Sequence, residues 1–219
     1  MALSAARSPE FNVIVCSGDD PGIIARSLLD VEEVGAPTVI MLAGEALGWS
    51  QAFPDAGWVC VGAAPFMHLA LTGSQTGVTD PGVRRLGARE LDAARSLLVA
   101  ANPGPPAVAE VALPDLLVES ATMSLWGLDA DGSLVAILTL SKVGDASAVW
   151  SMATDPGHRR RGYGRRLLAV VLAEAALSGS THALLSASPS GAFLYRAMGF
   201  SVVEHWQQWS RPRWILGRT

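Results

Sequence analysis

Short apolar runs and helical patterns alternate along the first 71 residues, in the order strand, helix, strand, helix, strand, strand. The first helix is the clearest element, because Ile24, Leu28 and Val31 recur at helical spacing after Asp20, a residue type that favours the N-cap. Gly35 follows where a C-terminal cap is expected. The other elements are predicted at Phe11–Cys16, Thr38–Leu42, Glu45–Phe53, Trp58–Val61 and Phe66–Leu71. Together they predict a small α/β unit.

The segment Thr72–Gly82 interrupts this pattern with Gly, Pro, Ser, Thr and Gln. Such a composition is typical of a linker between domains. We therefore predict a small domain over residues 1–75 and a larger one over residues 80–219.

From Val83 onward the pattern restarts and predicts a larger α/β unit. Its elements are a brief strand from Val83, helices at Ala88–Ala101 and Ala107–Leu117, strands at Ala121–Leu128, Ser133–Lys142 and Ala146–Ala153, a helix at Arg165–Leu177, a strand at Ala183–Ala187, a helix at Ala192–Met198 and a strand at Phe200–Trp209. Asn102–Pro106 ends the first of these helices, and Pro114 interrupts the second. The dipeptide Asp131-Gly132 suits the positive φ angles of a tight turn, so the strands on either side are predicted to be antiparallel neighbours.

Composition indicates a folded protein, since half of the residues are apolar and 16% are charged. A formal net charge of −4 argues against a surface built throughout to hold nucleic acid or anionic lipid. Residues 1–10 lack the pattern of a secretory signal, and no apolar run approaches membrane-spanning length. We therefore expect a cytoplasmic protein without membrane contact, in which Cys16 and Cys60 are reduced and buried.

Positive charge is concentrated in one place, because five of the sixteen basic residues fall between Arg159 and Arg166. The run Thr154–Gly164 ends a predicted strand and leads at once into a helix. Gly162 and Gly164 let the backbone turn its N–H groups inward, and the helix start adds unpaired donors and a positive dipole end. Alone this is a weak signal, since an arginine-rich turn is more often a solvated corner. It nevertheless suits a bound diphosphate.

The same run resembles the acetyl-CoA signature of the GCN5-related N-acetyltransferases (GNAT), written Arg/Gln-x-x-Gly-x-Gly/Ala. Arg159, Gly162 and Gly164 stand at its defining positions, and Pro156 stands where that family commonly has proline. The resemblance covers about Val83 to Trp209. It implies the acyl-CoA N-acyltransferase fold, an α/β fold with a mixed, splayed central β-sheet flanked by helices.

A second motif, Leu194–Phe200, resembles the family's Leu-Tyr-x-x-x-Gly-Phe segment. In that family the tyrosine faces the thioester sulfur, so the resemblance implies that Tyr195 donates its phenolic proton to the departing CoA thiolate. The alternative is a tyrosine that only packs under the sheet. The positions that the resemblance assigns to acetyl-CoA are Met152, Ala153, Thr154, Arg159, Arg160, Arg161, Gly162, Tyr163, Gly164, Arg165 and Ser188.

The chain departs from the family pattern at two points. Many relatives carry asparagine at the position of Ser188, which offers only a hydroxyl. No glutamate lies on the predicted strand Ala146–Ala153 to serve as general base, and Glu119 and His205 are more typical of surface or hairpin positions. Four tryptophans on predicted strands fit either core packing or an acceptor pocket, namely Trp126, Trp150, Trp206 and Trp209. The isolated His68 and His182 predict no metal site.

The first 75 residues resemble the second half of the same fold in the order of their elements, but they lack its glycine signature. Asp19, Asp20 and Pro21 stand where a cofactor loop needs glycines and no added negative charge. We interpret this part as a degenerate GNAT-like half-domain that closes over or extends the acceptor side.

These observations predict an N-acetyltransferase that transfers an acetyl group from acetyl-CoA directly to a primary amine of a small molecule or a peptide, with no metal. The missing base keeps open an alternative, a catalytically inactive acyl-CoA sensor or scaffold. A nucleic-acid partner is disfavoured because no aromatic residues are interleaved with the arginines. The sequence identifies neither the amine nor the oligomeric state, and a homodimer is compatible with it.

Overall fold

The computed structural model describes residues 12–72, 77–102 and 106–216. Phe11 of the first predicted strand, residues 73–76 of the predicted linker and residues 103–105 after the predicted helix lie outside the described residues. The chain divides into two compact units. The first holds the described residues up to Met67, Ser186–Ala192 and those from Val202 onward, and the second holds His68–Leu185 and Phe193–Ser201. The independence of residues 1–75 and 80–219 as domains stays a prediction.

Nine strands and seven α-helices make up the described chain, together with short 3₁₀ helices. In chain order they are β1 (Val13–Cys16), α1 (Pro21–Val34), β2 (Val39–Leu42), a 3₁₀ helix (Gly44–Trp49), α2 (Ala52–Asp55), β3 (Val59–Ala70), β4 (Val83–Arg85), a 3₁₀ helix (Ala88–Glu90), α3 (Leu91–Ala101), α4 (Pro106–Ala112), a 3₁₀ helix (Asp115–Glu119), β5 (Met123–Ala130), β6 (Ser133–Val143), β7 (Ala146–Thr154), a 3₁₀ helix (Pro156–His158), α5 (Tyr163–Leu177), β8 (His182–Ser186), α6 (Ala192–Ala197), β9 (Ser201–Ser210) and α7 (Pro212–Leu216).

In the first unit, β1 and β2 run parallel, β9 pairs antiparallel with β2, and β3 lies beside β9. The predicted caps of α1 are confirmed. The Gly22 N–H donates to the Asp20 carboxylate at 2.8 Å, and Gly35 takes a φ of +64° at the helix end. The apolar core of this unit includes Ile14, Cys16, Ile24, Val31, Ile40, Leu42, Phe53, Trp58, Trp209 and Trp214.

Three details of the first unit differ from the sequence prediction. The strands predicted at Trp58–Val61 and Phe66–Leu71 form one strand, β3, because Pro65 and the residue before it favour extended backbone and so continue the strand. Cys60 is exposed rather than buried, whereas Cys16 is buried. The sequence pattern also missed the last helix, α7.

The second unit is built on a mixed sheet with the strand order β8-β7-β6-β5-β4. Strands β7 and β8 are parallel, and the other neighbouring pairs are antiparallel. The predicted hairpin between β5 and β6 is confirmed, with φ angles of 52° at Asp131 and 76° at Gly132. The mixed α/β sheet flanked by helices matches the fold class expected from the sequence.

Helices cover both faces of this sheet. The face that includes Ile137 and Ala153 packs on α3 and α4 through apolar side chains, among them Leu91, Ala94, Leu98, Leu113 and Leu117. Helix α5 packs on β5, β6 and β7 and buries Leu167, Leu168, Val171 and Leu172. At the end of α5 the Lys142 ammonium donates a hydrogen bond to the Ser178 carbonyl. The helix that leads from the candidate turn is therefore fixed at both its apolar face and its C-terminus.

Among the described residues, no helix combines the length and the apolar character needed to cross a bilayer.

Candidate active site

The parallel strands β7 and β8 pair only at their beginnings. They pair through Ala146, Ser147 and Ala148 of β7 with His182, Ala183 and Leu184 of β8. Strand β7 continues to Thr154, and within the described residues β8 forms no further pair with β7. Backbone groups along the second half of β7 therefore need partners other than β8, and an extended ligand can supply them. The splayed sheet expected from the sequence is thus present.

A bulge in β7 lies where the two strands part. The register between β6 and β7 shifts between Ile137 and Thr139, which face Ala153 and Trp150. Between these two residues of β7, Ser151 has a φ of +48°, in the left-handed region that non-glycine residues seldom adopt. Bulges and such backbone strain are over-represented next to active sites, where they redirect backbone groups.

A tight 3₁₀ turn follows β7 and is held by Asp155. The Asp155 carboxylate accepts hydrogen bonds from the Gly157 N–H at 2.9 Å and from Nδ1 of His158 at 2.8 Å. The hydrogen bond from His158 holds the Asp155 pKa below its ordinary value. The only carboxylate of the turn is thereby committed to bonds within the turn itself.

Arg159 is exposed and donates hydrogen bonds to two backbone carbonyls, and its contact with a cofactor stays a prediction. Its Nη2 donates to the Ala101 carbonyl at 2.6 Å, and its Nε donates to the Thr154 carbonyl at 3.3 Å. Ala101 is the last residue of α3, so the guanidinium meets the negative end of that helix dipole. Arg159 therefore ties the turn to α3 and β7.

Arg166 is also engaged. Its guanidinium forms two bonds to the Asp80 carboxylate, at 2.7 and 3.1 Å, and lies 5.4 Å from the centre of the Tyr163 ring. The hydrogen bond from Arg166 lowers the Asp80 pKa. Asp80 was not predicted from the sequence, because Asp80-Pro81-Gly82 gives only a turn signal and its partner lies 86 positions away.

The remaining arginines of the cluster are Arg160, Arg161 and Arg165. All three are exposed, and within the part of the chain that the structure describes they make no hydrogen bond or ion pair. They supply positive charge beside the first turn of α5. Of the five basic residues that the sequence placed together, these three are free to meet an anion.

The two glycines of the signature have different local roles. Gly162 is the N-cap of α5 with a φ of +82°, and a Cβ built there would meet no atom within 4 Å. A Cβ on Gly164 would lie 3.1 Å from Met152 Cε and 3.3 Å from Thr154 Oγ1. Gly162 therefore shapes the turn and leaves space above it, whereas Gly164 lets α5 approach β7 closely.

The start of α5 provides backbone donors beside that space. The Arg166 N–H bonds to the Gly162 carbonyl at 3.0 Å and so begins the helical ladder. The amides before it have no intrahelical acceptor, which is general for the first turn of a helix. Together with the positive end of the helix dipole, these amides form a site suited to phosphate groups.

Tyr195 lies on α6 and reaches the splayed part of β7. Its side chain is only 8% exposed, and its hydroxyl donates to Met152 Sδ at 3.4 Å. Burial raises the Tyr195 pKa to about 12. The phenol is therefore protonated at neutral pH, and its acceptor is a thioether, which is a weak one.

The structure thus brings Met152, Thr154, Gly164 and Tyr195 together around the end of β7. Ser188 belongs to the other compact unit. Its Oγ accepts from the Gly191 N–H at 3.1 Å and lies 3.2 Å from Ser190 Oγ, which places it in the turn before α6. Its contact with a cofactor stays a prediction.

The two histidines that looked isolated in the sequence are in contact. His68 Nε2 and His182 Nδ1 lie 2.9 Å apart on neighbouring strands. Even so, the described residues contain no group of three or more His, Cys, Asp or Glu side chains arranged to hold a metal ion.

Residues 122–202 match a family model described as an acetyltransferase (GNAT) domain. The matched span includes the bulge in β7, the arginine-rich turn, α5 and Tyr195. A search of curated proteins gave no match.

Solved structures share the fold. A GCN5-related N-acetyltransferase from Kribbella flavida aligns with a TM-score of 0.70 at 19% identity, over 94% of this chain and 84% of its own. A GCN5-related N-acetyltransferase from Sphaerobacter thermophilus aligns with a TM-score of 0.60 at 16% identity, over 86% of this chain and 67% of its own. A functionally unknown conserved protein from Staphylococcus epidermidis aligns with a TM-score of 0.65 at 10% identity, over 93% of this chain and 85% of its own. At these identities the likeness is one of fold.

The family match thus covers the splayed strands β7 and β8, the turn that leads into α5, and the buried Tyr195. The fold agrees with it over nearly the whole chain. Residues 122–202 therefore resemble an acetyltransferase (GNAT) domain, and the chain shares its fold with solved GCN5-related N-acetyltransferases.

Proposed function

We propose that the protein transfers an acetyl group from acetyl-CoA to a primary amine by direct attack. The observation that carries the proposal is the contact between Tyr195 and Met152, which puts a buried, protonated hydroxyl 3.4 Å from the sulfur of a β7 residue that lies beyond the last pair with β8. A thioester lying along β7 would then have a proton donor beside its sulfur.

The start of α5 would hold the diphosphate of the donor. The first turn of a helix leaves its amides without intrahelical acceptors, and Arg160, Arg161 and Arg165 add charge that no carboxylate of the described chain neutralises. Backbone groups of Met152, Ala153 and Thr154 would pair with the pantetheine arm in place of β8. Arg159 would stabilise this site through its hydrogen bond to the Ala101 carbonyl.

The chemistry requires one bond to form and one to break. The amine nitrogen bonds to the acetyl carbon, and a backbone N–H of β7 stabilises the carbonyl oxygen as it becomes negative. The carbon–sulfur bond then breaks, its electron pair stays on sulfur, and sulfur takes the proton of Tyr195. The new amide nitrogen loses its surplus proton to solvent, from which the phenolate regains one.

The first unit is proposed to serve the acceptor rather than the donor. Asp20 caps α1 through its carboxylate, at a point where a CoA loop would need glycine and no negative charge. This supports the interpretation of residues 1–75 as a degenerate half-domain.

The test combines binding and turnover. Acetyl-CoA affinity is measured by calorimetry, and CoA release is followed with a thiol reagent across a panel of primary amines. A Cys60→Ser background removes an exposed thiol that would react with the reagent. Amine-dependent CoA release supports the proposal. Binding without release on any amine would assign the chain to the sensor alternative, and absence of binding would overturn both.

A further inference from the structure

Trp150 is a large aromatic residue exposed on a strand at the candidate site. Its side chain is 52% exposed, and it directly precedes Ser151, the strained residue of the bulge in β7. The indole N–H donates to Ser141 Oγ at 2.8 Å. This bond fixes the ring plane, so the exposed face of the indole is presented in one orientation. An ordered, exposed tryptophan is typical of a binding contact.

The neighbours that share its face of the sheet are uncharged. Thr139 lies opposite Trp150, Met123 lies opposite Ser141, and Ala148 is two positions back along β7. Thr139 is only 1% exposed, yet its hydroxyl has no hydrogen-bond partner within the described residues. These strand neighbours of Trp150 therefore carry no charge, and they offer no carboxylate to a cationic ligand.

Trp150 is close to the reacting groups along the strand. Met152, whose sulfur contacts the Tyr195 hydroxyl, is two residues further on, beyond the bulge that turns it away from the face shared by Trp150 and Thr139. Two residues of a strand span roughly 7 Å. A thioester lying in the gap beside β7 would have Tyr195 on one side, and a small molecule that covers the indole would approach it from the other.

We propose that Trp150 is a specificity-determining residue that stacks on the acceptor, and that the acceptor is an arylamine, with its nitrogen attached directly to an aromatic ring. This inference rests on the proposed function. A flat ring fits the fixed indole face. An arylamine nitrogen is uncharged at neutral pH, so it needs neither a carboxylate to balance its charge nor a general base to deprotonate it before attack.

The test compares two amines of similar shape, 4-methylaniline and 4-methylcyclohexylamine, by their kcat/KM for CoA release. The wild type favours 4-methylaniline. Trp150→Ala lowers that preference about tenfold through KM, as expected for the loss of one aromatic stack. Trp150→Phe keeps most of it, and both variants keep the wild-type affinity for acetyl-CoA. Trp126→Phe is the control. Trp126 pairs with Leu138 on the face of the sheet opposite to Trp150, so this variant should leave the preference unchanged.

A binding measurement accompanies the kinetics. With CoA present, 4-methylaniline quenches a part of the tryptophan fluorescence that is missing in Trp150→Phe. Three outcomes would each overturn the inference. The wild type could prefer the saturated amine, Trp150→Ala could lose kcat/KM equally on both amines, or the quenching could persist in Trp150→Phe. Those outcomes differ from failure of the proposed function, which would show as absence of acetyl-CoA binding.

Discussion

The Tyr195 hydroxyl is buried and donates its hydrogen bond to a weak acceptor, and these two properties act together. Burial raises its pKa to about 12, so the phenol keeps its proton across the physiological range. The Met152 thioether holds that proton only weakly, which leaves it available to a stronger acceptor. A thiolate that develops during thioester cleavage is such an acceptor. At the residue scale, these two properties are the support for the proposed acid role of Tyr195.

Replacing Tyr195 by Phe removes the proton donor and leaves the ring in place. We expect kcat to fall by about 10²-fold or more, the range of a lost general acid, while the acetyl-CoA Kd stays at the wild-type value. Steady-state kinetics and calorimetry measure the two quantities. Phe193→Leu, at an exposed position of the same helix, is the control and keeps full activity. Equal turnover in Tyr195→Phe would remove Tyr195 from the mechanism.

The raised pKa of Tyr195 also predicts a loss of stability at alkaline pH. The ordinary value is 10.0 and the folded value about 12, so the unfolded chain releases this proton first. The contribution is fully present below pH 10 and is lost as the pH rises through 12, by roughly 2 to 3 kcal/mol at most. Urea unfolding between pH 9 and pH 12 measures it. Tyr195→Phe should show a shallower decline than the wild type, and parallel curves would contradict the assignment.

At the scale of elements, the turn between β7 and α5 carries arginines that bond to the protein and arginines without a partner in the described chain. Arg159 bonds to the last carbonyl of α3, whereas Arg161 has no partner among the described residues. We expect Arg159→Gln to lower the free energy of unfolding by about 1 kcal/mol, because a charged donor at a helix C-terminus is lost. Thermal unfolding measures this change.

Arg161→Gln is the matched variant of that comparison. It should leave the melting temperature of the free protein unchanged and weaken acetyl-CoA binding several-fold, since a phosphate would lose a charge-assisted contact. If Arg159→Gln instead weakened binding without affecting stability, the two roles would be exchanged.

Local patterns predicted most elements, because their causes are local. The Asp131-Gly132 hairpin and the caps at Asp20 and Gly35 follow from conformational preferences of a few neighbouring residues. The two strands predicted around Pro65 failed for the opposite reason, since a proline stops a helix but not an extended strand. Contacts between distant segments, such as Arg166 with Asp80, leave no local signal.

At the scale of the whole molecule, positive charge beside α5 stands against a net charge of −4. Acetyl-CoA carries phosphates, so its affinity should depend on salt. We expect the rise in melting temperature produced by acetyl-CoA to shrink as NaCl increases from 0.05 to 0.5 M (about 14 to 4 Å in Debye length). Differential scanning fluorimetry measures it. Arg161→Gln should show a weaker dependence, and a rise that is independent of salt would argue against phosphate binding by the arginines.

The candidate site was predictable only where its residues form a continuous motif. Gly162, Gly164 and Tyr195 were found from such motifs, whereas the distinct roles of the five arginines required knowledge of their partners. Trp150 shows the limit most clearly. Its sequence context favours core packing over ligand binding, and only its exposure beside a strained residue favours binding.

The bond from Lys142 to the end of α5 has a practical consequence for assays. Lys142 is the single lysine among the 219 residues, and every other strongly basic side chain is an arginine, which does not accept acetyl groups. Apart from its amino terminus, the chain thus offers one side-chain amine to the proposed donor, and that amine is already hydrogen-bonded to a carbonyl. When radiolabelled donor is mixed with the enzyme and a lysine-rich peptide, counts retained in protein will report almost wholly on the peptide.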